Sequence, residues 1–511
     1  MVSQATAWNA GINDEWRMIR KALYPLLLTL SACAVGPDYV KPGVETPAGF
    51  KEALNWKQAQ PQDNFTRNAW WKAFGDPQLD ALEAQVDISN QNIKVAEAQY
   101  RQAQALVDAA RAAFFPTISA AASEARSGSK SSGIGNLYKA SLDAAWELDL
   151  WGKIRRSVES NEASAQASQA DLESARLSAQ AALATDYLEL RVTDAQKRLL
   201  DNTVAAYEKS LQLTKNQYAV GVAARADVVQ AETQLESTQA QAIDVGVQRA
   251  KLEHAIALLV GKPPASFGIE PVDAVPPVPD IPVSVPSEIL ERRPDIAGAE
   301  RRVAAANAQI GVTEAAFFPT LTLSASGGFE SAGFAKWFTV PNRLWSIGPS
   351  LAETIFDAGL RSAQTAQAIA AYDQTVATYR QTVLGSFQEV EDNLAGLRIL
   401  EQEAQVQKAA VASAQESVKI VTNQYKAGTV SYLNVVTAQA TELSNERTDL
   451  TILGSRLTAA VTLIKALGGG WNAEAAPATP APAGNDYRDL CEVDHLAKPF
   501  SLFDYYNGQI E

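Results

Sequence analysis

The sequence predicts an α+β membrane protein built from two copies of one structural unit, each with a β-hairpin and a long helical hairpin. Three observations support this prediction. Landmarks in the first half of the chain recur 207 residues later, a strict apolar alternation marks strands, and long segments lack helix breakers.

Composition excludes several classes of function. The chain has 511 residues with 44 Lys and Arg against 58 Asp and Glu, and its formal charge is −14. Because such a chain offers no basic surface to phosphates, no nucleic-acid partner is expected. Two His and two Cys are too few for a zinc site or a disulfide framework, so no metal or cofactor chemistry is expected.

The N-terminus predicts export and lipidation. A basic pair and the short apolar run Ala22–Leu30 read as a signal peptide over 1–32, with the true start at Met18. The run Leu30-Ser31-Ala32-Cys33 resembles a bacterial lipobox, which implies covalent lipid on Cys33, a diacylglycerol and an N-acyl chain. Ala34 after it implies sorting to the outer membrane. The alternative is a chance Cys at the end of an ordinary signal.

An internal repeat organises the rest of the chain. Phe114-Phe115-Pro116-Thr117 recurs 203 residues later, and five further landmarks recur at an offset of 207. Those five are Gly152, Asn216-Gln217-Tyr218, Gly221, Val228-Val229 and Gly261, matched by Gly359, Asn423-Gln424-Tyr425, Gly428, Val435-Val436 and Gly468. The four-residue difference falls between the Phe-Phe-Pro motif and Gly152 or Gly359, where a loop can change length at low cost.

The repeat divides the chain into six segments. They are a signal peptide (1–32), a lipidated N-terminal and equatorial segment (33–75), repeat 1 (76–261), a Pro-rich strap (262–285), repeat 2 (286–468), and an Ala/Pro linker with a C-terminal tail (469–511).

Each repeat is expected to contribute one hairpin, over 117–150 and 320–356. Pro116 and Pro319 are expected to end the preceding helices. In the first hairpin Tyr138, Leu142, Trp146 and Leu148 alternate with polar residues, which predicts a sheet with one apolar face. Four strands cannot close a membrane barrel, so other chains must complete it; a dimer gives eight strands and a trimer twelve.

Long helices follow the hairpins. No Pro or Gly occurs between Gly152 and Gly221, so this segment can be helical over ~90 Å. Its apolar residues form a narrow seam in two runs with intervals of seven, first Val158, Ala165, Leu172 and Ala179, and later Val204, Leu211 and Tyr218. Return helices are expected over 223–260 and 430–467, after turns at Gly221 and Gly428. A narrow seam leaves two wet faces, which suits the wall of a water-filled conduit.

Several motifs resemble one family. They are Val35-Gly36-Pro37-Asp38-Tyr39, Trp70-Trp71 with Phe74-Gly75-Asp76-Pro77, both Phe-Phe-Pro motifs, Trp146-Glu147-Leu148-Asp149-Leu150-Trp151-Gly152, and Glu291-Arg292-Arg293-Pro294-Asp295-Ile296. Over about residues 30 to 471 the chain resembles the outer-membrane factor family (TolC-like outer membrane efflux proteins), and most closely its NodT-type lipoprotein branch.

The resemblance implies a homotrimeric, 12-stranded transmembrane β-barrel with four strands per chain, continued by a long periplasmic α-helical barrel. It implies a lipid-anchored protein of the Gram-negative outer membrane that partners a periplasmic adaptor and an inner-membrane resistance-nodulation-division (RND) pump. Such a protein passively conducts drugs or other small solutes outward and is not an enzyme. The alternatives are a coiled-coil lipoprotein that acts as a spacer, and the outer-membrane component of type I secretion.

The resemblance also places an adaptor-docking tip at the two helical turns. Its residues would be Tyr218, Gly221, Asp227, Tyr425, Gly428 and Asn434. Many relatives carry Asp where Asn434 stands, so an acidic ring at that position is not expected here. Each Gly can also be read simply as a helix C-cap, and each Tyr as packing in the seam.

Three charged residues, Arg292, Arg293 and Asp295, invite a catalytic interpretation. They lie at a Pro-containing helix start, where such residues are common, so a structural role is favoured. His254 has no second ligand at metal-binding spacing and is expected to be packed or solvent-facing. The sequence does not name the cargo, the pump, the gate or the role of the tail.

Overall fold

A computed structural model describes residues 34–53, 69–129, 133–272, 274–281 and 292–469 of the chain. The signal peptide, Cys33 and the tail from residue 470 lie outside these described residues. The chain divides into a unit of Met1–Trp471 and a tail of Asn472–Glu511, and all elements below belong to the first unit.

The order of elements occurs twice along the chain. In sequence they are α1 (Pro77–Ser89), α2 (Gln91–Ala112), β1 (Thr117–Ser129), β2 (Gly133–Leu148), α3 (Lys153–Ala219), α4 (Arg225–Leu259), α5 (Pro294–Ala315), β3 (Thr320–Ser331), β4 (Arg343–Ala352), α6 (Leu360–Lys426) and α7 (Tyr432–Ala466). The two long helices have 67 residues each, and the two return helices have 35 each.

The first hairpin is preceded by two helices, whereas the pattern of the repeat predicts one. The two helices are separated at Asn90, which lies between Ser89 and Gln91. The Asn90 side chain accepts hydrogen bonds from the amides of Asn92 and Ile93 at 2.9 and 3.2 Å. Such a side chain caps the second helix and so separates it from the first.

The helices that precede the hairpins end about one turn before the prolines. The helices end at Ala112 and Ala315, and the bonds that follow are of the tighter i to i−3 type, as from the Phe115 amide to the Ala112 carbonyl at 3.1 Å. Neither helix continues to Pro116 or Pro319, as predicted, but each ends about one turn before the proline because its last turn tightens.

The strands form one sheet. Their order is β1-β2-β3-β4 and every neighbouring pair is antiparallel. The two hairpins therefore join edge to edge through β2 and β3, where Leu142 lies opposite Gly327. This confirms the prediction of one hairpin per repeat and of four strands per chain.

The long helices are packed along a narrow seam. Val158, Ala165, Leu172 and Ala179 are buried, as predicted, whereas Tyr218 at the far end of the same helix is 46 % exposed. At 1.5 Å per residue each 67-residue helix is about 100 Å long. None of the helices in the described part of the chain is apolar enough over a sufficient length to cross a bilayer.

Buried side chains gather in two main clusters. The larger one, here called the equatorial core, includes Trp70, Trp71, Phe74, Leu79, Leu183, Tyr187, Leu190, Val383, Phe387, Val390, Val461 and Ile464. The second, here called the tip cluster, comprises Tyr207, Leu211, Val228, Ala231, Leu235, Tyr425, Tyr432 and Val435. The tip cluster draws on all four long and return helices, so both helical hairpins share it.

Candidate functional site: the two-faced sheet and the helical tip

One face of the sheet is mainly apolar, with Glu124, Arg126 and Arg343 as its charged residues, and much of it is exposed within one chain. The strand register places on it Ile118, Tyr138, Leu142, Trp146, Leu148, Leu321, Leu323, Phe329, Trp345, Ile347 and Leu351. Trp345, Ile347 and Leu351 are 73 %, 75 % and 68 % exposed within one chain. A contiguous apolar surface of this kind suits hydrocarbon rather than water, and this is the face the sequence alternation predicts.

The opposite face is polar. Its hydroxyl-bearing residues include Thr117, Ser119, Ser123, Ser127, Ser141, Thr320, Thr322, Ser324, Ser326, Ser346 and Ser350. Ser326 and Ser346 share a hydrogen bond of 2.8 Å, and Ser141 donates one of 2.8 Å to Asp143. Apolar outside and polar inside is the arrangement of a barrel that holds water.

The sheet has two open edges. Among the described strands, β1 pairs only with β2 and β4 only with β3. Their outer rows of amides and carbonyls therefore have no partner strand within the chain, and each such group left unpaired in hydrocarbon costs several kcal/mol. A sheet of this kind can lie in lipid only when further strands complete it.

The first described residues lie at the junction between the sheet and the helices. The Val35 amide donates to the Trp151 carbonyl at 3.0 Å. The buried Arg156 guanidinium donates to the carbonyls of Val35 and Gly36 at 3.2 and 3.1 Å, and to Asp38 at 2.9 Å. The second and third residues after Cys33 are therefore fixed where β2 ends and α3 begins, while Cys33 itself lies outside the described residues.

Each helical turn at the tip closes on a glycine. At the first turn the Gly221 amide donates to the Tyr218 carbonyl at 3.0 Å and the Val222 amide to the Gln217 carbonyl at 2.8 Å. This is the bond pair of a Schellman motif, and the turn at Gly428 repeats it. The φ values of these two glycines are +78° and +74°, and a Cβ atom on either would meet no atom within 4 Å. Backbone conformation alone accounts for both glycines.

The two tyrosines predicted at the tip have different surroundings. Tyr425 is buried, and its ring centroid lies 5.3 Å from that of Tyr432, whose hydroxyl is 3.1 Å from the Ser210 hydroxyl. Burial raises the pKa of both Tyr425 and Tyr432. Tyr218 occupies the equivalent position in repeat 1 and is half exposed. The seam-packing interpretation therefore fits Tyr425 and is wrong for Tyr218 within one chain.

The acidic candidate of the tip is a capping residue. The Asp227 carboxylate accepts a hydrogen bond from the Ala224 amide at 3.1 Å, at the start of α4. Asn434 is its counterpart in repeat 2, is exposed, and has its backbone amide bonded to the Ser431 carbonyl at 3.2 Å. Asp227 therefore stabilises the N-terminus of α4, and this role does not depend on any contact with a partner protein.

The charged residues at the start of α5 join helices. Arg293 is buried and donates to Asp295 and Glu389 at 2.7 Å each, and to the Ala466 carbonyl at 3.1 Å. These contacts link α5, α6 and α7, as the structural interpretation of these residues requires. His254 is exposed, and the described residues contain no group of three His, Cys, Asp or Glu placed to hold a metal ion.

Sequence reasoning missed a buried polar network in the equatorial core. Arg191 is 1 % exposed, donates to the Tyr187 hydroxyl at 2.9 Å and to the Glu270 carbonyl at 3.1 Å, and pairs with Asp194 at 3.3 Å. Asp194 also pairs with Arg249 at 2.8 Å. The network ties α3 to α4 and to the strap. Its only signal in the sequence is an Arg flanked by Leu190 and Val192, which periodicity alone does not distinguish from a solvent-facing residue.

The chain is similar to known outer-membrane proteins in both sequence and structure. The sequence model of a family described as "Outer membrane efflux protein" matches residues 82–262 and 285–469. The chain is 32 % identical over 470 residues to the probable efflux pump outer membrane protein TtgC of Pseudomonas putida, which covers 88 % of the chain and 96 % of that protein. It is 32 % identical to nodulation protein T of Rhizobium leguminosarum bv. trifolii, with 81 % of the chain and 89 % of that protein covered. Among solved structures it is similar to the outer-membrane channel OprN, with a TM-score of 0.81, 30 % identity, and coverage of 86 % of the chain and 100 % of OprN.

Proposed function

The chain belongs to the outer membrane efflux protein family, and we propose that three copies close a twelve-stranded barrel and form the exit duct of a tripartite pump. The protein is an outer-membrane efflux channel with the α+β fold of that family.

The single observation that carries the proposal is the sheet with two unlike faces and two open edges. The apolar face needs lipid, the polar face needs water, and neither edge of the described sheet has a partner strand. Membrane barrels start at eight strands, so four strands per chain require at least one further copy. Three copies are the number implied by the resemblance to TolC-like proteins.

The long helices continue the conduit in this proposal. Each is about 100 Å long and begins within a few residues of a strand, so the helices extend from the sheet into the periplasm. Their narrow buried seam leaves polar surface on two sides. One side would face the periplasm and the other a water-filled lumen that continues the polar face of the sheet.

The partners are a periplasmic adaptor and an inner-membrane RND pump, and the cargo is a drug or another small solute conducted passively. The matching relative TtgC, a probable efflux pump outer membrane protein, supports an efflux role over a type I secretion role. The turns at Gly221 and Gly428, with Tyr218, Asp227, Tyr425 and Asn434, are the surface proposed for adaptor docking. Exposure of Tyr218, Val220 and Val222 supports a contact with another protein there.

The lipid anchor is proposed at Cys33. The Arg156 contacts hold Val35 and Gly36 against the junction of sheet and helix, so acyl chains on Cys33 would start close to the level at which the apolar face ends. A diacylglycerol and an N-acyl chain together would give two membrane signals, which stable anchoring requires.

Single-channel recording in planar bilayers tests the conduit. Purified protein is expected to give discrete current steps, larger in variants whose tip turns have been opened by substitution. A matched control is the Leu142→Asp variant, whose apolar face is broken and which should insert poorly. Complete absence of current from wild-type and tip-opened protein would favour the spacer, a coiled-coil lipoprotein that needs neither a polar lumen nor an apolar sheet face.

A further inference from the structure

The polar face of the sheet carries few charges. Among the strand residues that the structure describes, the register places four charged side chains on it, namely Lys139, Asp143, Glu147 and Glu330. The neighbouring positions are Ser, Thr, Gly, Ala and two Leu. Any net charge on this face is therefore set by these four groups.

Two of the acids have a cation nearby. Lys139 and Glu330 are direct register partners on β2 and β3. Glu147 forms an ion pair of 3.1 Å with Lys153, the first residue of α3. Opposite charges at these separations offset each other over distances larger than the pair.

Asp143 has no such offset. Its register partners are Ser119 on β1 and Ser326 on β3, and its carboxylate accepts a hydrogen bond of 2.8 Å from Ser141. Lys139, the one cation among the four charges on the polar face, is four residues away along β2, or ~13 Å. That separation exceeds the Debye length of about 8 Å at physiological ionic strength. The described polar face thus has one uncompensated negative charge per chain, close to the middle of β2.

We propose that Asp143 forms a cation-selecting ring inside the membrane barrel, with one carboxylate from each chain. The inference rests on the proposed conduit, since only closure with the polar face inward brings the copies of Asp143 around one lumen. Rings of Asp or Glu select cations by raising their local concentration and lowering that of anions. The ring biases solute traffic in the sheet itself, separately from any selection at the helical tip.

The test is the reversal potential of single channels under a potassium chloride gradient. The dilute side holds about 10 mM salt, at which the Debye length is about 30 Å. Wild-type channels are expected to favour potassium over chloride. The Asp143→Asn variant is expected to lower the potassium-to-chloride permeability ratio about two-fold or more. Recording both proteins with the same tip substitution keeps the tip contribution constant.

A matched control removes the same charge from the other face. Glu124 lies on β1 opposite Tyr138, on the apolar face of the sheet. The Glu124→Gln variant should leave the permeability ratio unchanged, because its side chain does not face the lumen. A ratio that falls equally in both variants would show that overall charge, and not the ring, sets selectivity, and would overturn the inference.

A second variant tests the ring even if Asp143→Asn fails to fold. Asp143→Cys in a Cys491→Ser background can be modified after insertion, with methanethiosulfonate reagents that carry either a sulfonate or an ammonium group. The sulfonate is expected to restore cation preference and the ammonium to reverse it within the same channel. Modified channels that conduct with an unchanged ratio would overturn the ring while leaving the conduit intact. If wild-type protein carried no current at all, the proposed conduit itself would fail, and the ring with it.

Discussion

Glu83 is buried in the equatorial core without a hydrogen-bond partner for either carboxylate oxygen among the described residues. Burial, reinforced by the nearby Asp87 and Asp80 carboxylates, raises the pKa of Glu83 to about 10. The side chain is therefore protonated in the folded protein at neutral pH, whereas in the unfolded chain it is ionised.

We expect Glu83→Gln to stabilise the protein at pH 7 by roughly 1–3 kcal/mol. The folded state holds a proton that the unfolded state releases above about pH 4.5, so wild-type stability falls as pH rises from there towards 10. Gln does not titrate, and its advantage in thermal midpoint should grow between pH 6 and pH 9. Asp108→Asn on an exposed position of α2 is the control, and an advantage that did not change with pH would contradict the assignment.

Glycines in the same backbone conformation should differ in their tolerance of substitution. Gly221 and Gly468 both have positive φ, but a Cβ on Gly468 would lie 2.2 Å from the Arg292 carbonyl oxygen while one on Gly221 meets open space. Gly221→Ala should cost about 1 kcal/mol from strain alone. Gly468→Ala should cost roughly 1–3 kcal/mol more because backbone must move. Thermal midpoints of the two detergent-held variants check this, and equal losses would contradict it.

At the residue scale, the sequence identified the turn glycines but could not rank Tyr218 against Tyr425. Both tyrosines fall at the same position of the repeat, but Tyr425 is buried against Tyr432 whereas Tyr218 is half exposed. Glu83 and Arg191 were likewise missed, because helical periodicity reports which face is buried and not which polar side chain lies within that face.

At the scale of elements, the two faces of the sheet suit different surroundings, lipid for the apolar face and water for the polar face. Leu142 is on the apolar face and Ala145, on the same strand, is on the polar face. An Asp at each position therefore adds the same charge to opposite sides of one strand.

Leu142→Asp should impair membrane assembly, because a carboxylate on the lipid face costs roughly 1–3 kcal/mol per chain. Ala145→Asp should assemble normally, since its side chain meets water. The yield of heat-modifiable, detergent-resistant oligomer in outer-membrane fractions measures both variants. Equal yields would mean that the two faces do not differ in what surrounds them.

Strands and long helices were predictable because alternation and the absence of helix breakers are strong local signals. The split between α1 and α2 at Asn90 was not, since it depends on one capping side chain that also donates to the Leu259 carbonyl at 2.8 Å, from a distant return helix. The ends before Pro116 and Pro319 were misplaced for a similar reason, because a tightened final turn leaves no distinct mark in the sequence.

At the scale of the whole molecule, the open edges of β1 and β4 make the single chain incomplete. Protein purified in mild detergent should have the mass of three chains after the detergent contribution is subtracted, as measured by light scattering or native mass spectrometry. A monomer that retained its native strand content would contradict closure by neighbouring copies. The Ala145→Asp variant provides a control of unchanged mass.

Closure by several chains could be predicted from four strands with one apolar face, but the number of chains could not, because dimers and trimers satisfy the same rule. Lumenal charge was not predictable from composition either. The −14 formal charge is spread over the chain, and only the register isolates Asp143 from its neighbours.

The equal lengths of the two helical hairpins have a geometric consequence. With 67 and 35 residues in each, the turns at Gly221 and Gly428 end at matching heights, so a trimer would present six ends in approximate six-fold rotational symmetry. The chemistry alternates around that circle, since exposed Val220 and Val222 of one turn are replaced by Ala427 and Thr429 in the other. Six identical partner subunits arranged in a ring would therefore contact two different surfaces alternately, the turn at Gly221 and the turn at Gly428. The subunits would bind these two surfaces with different affinities.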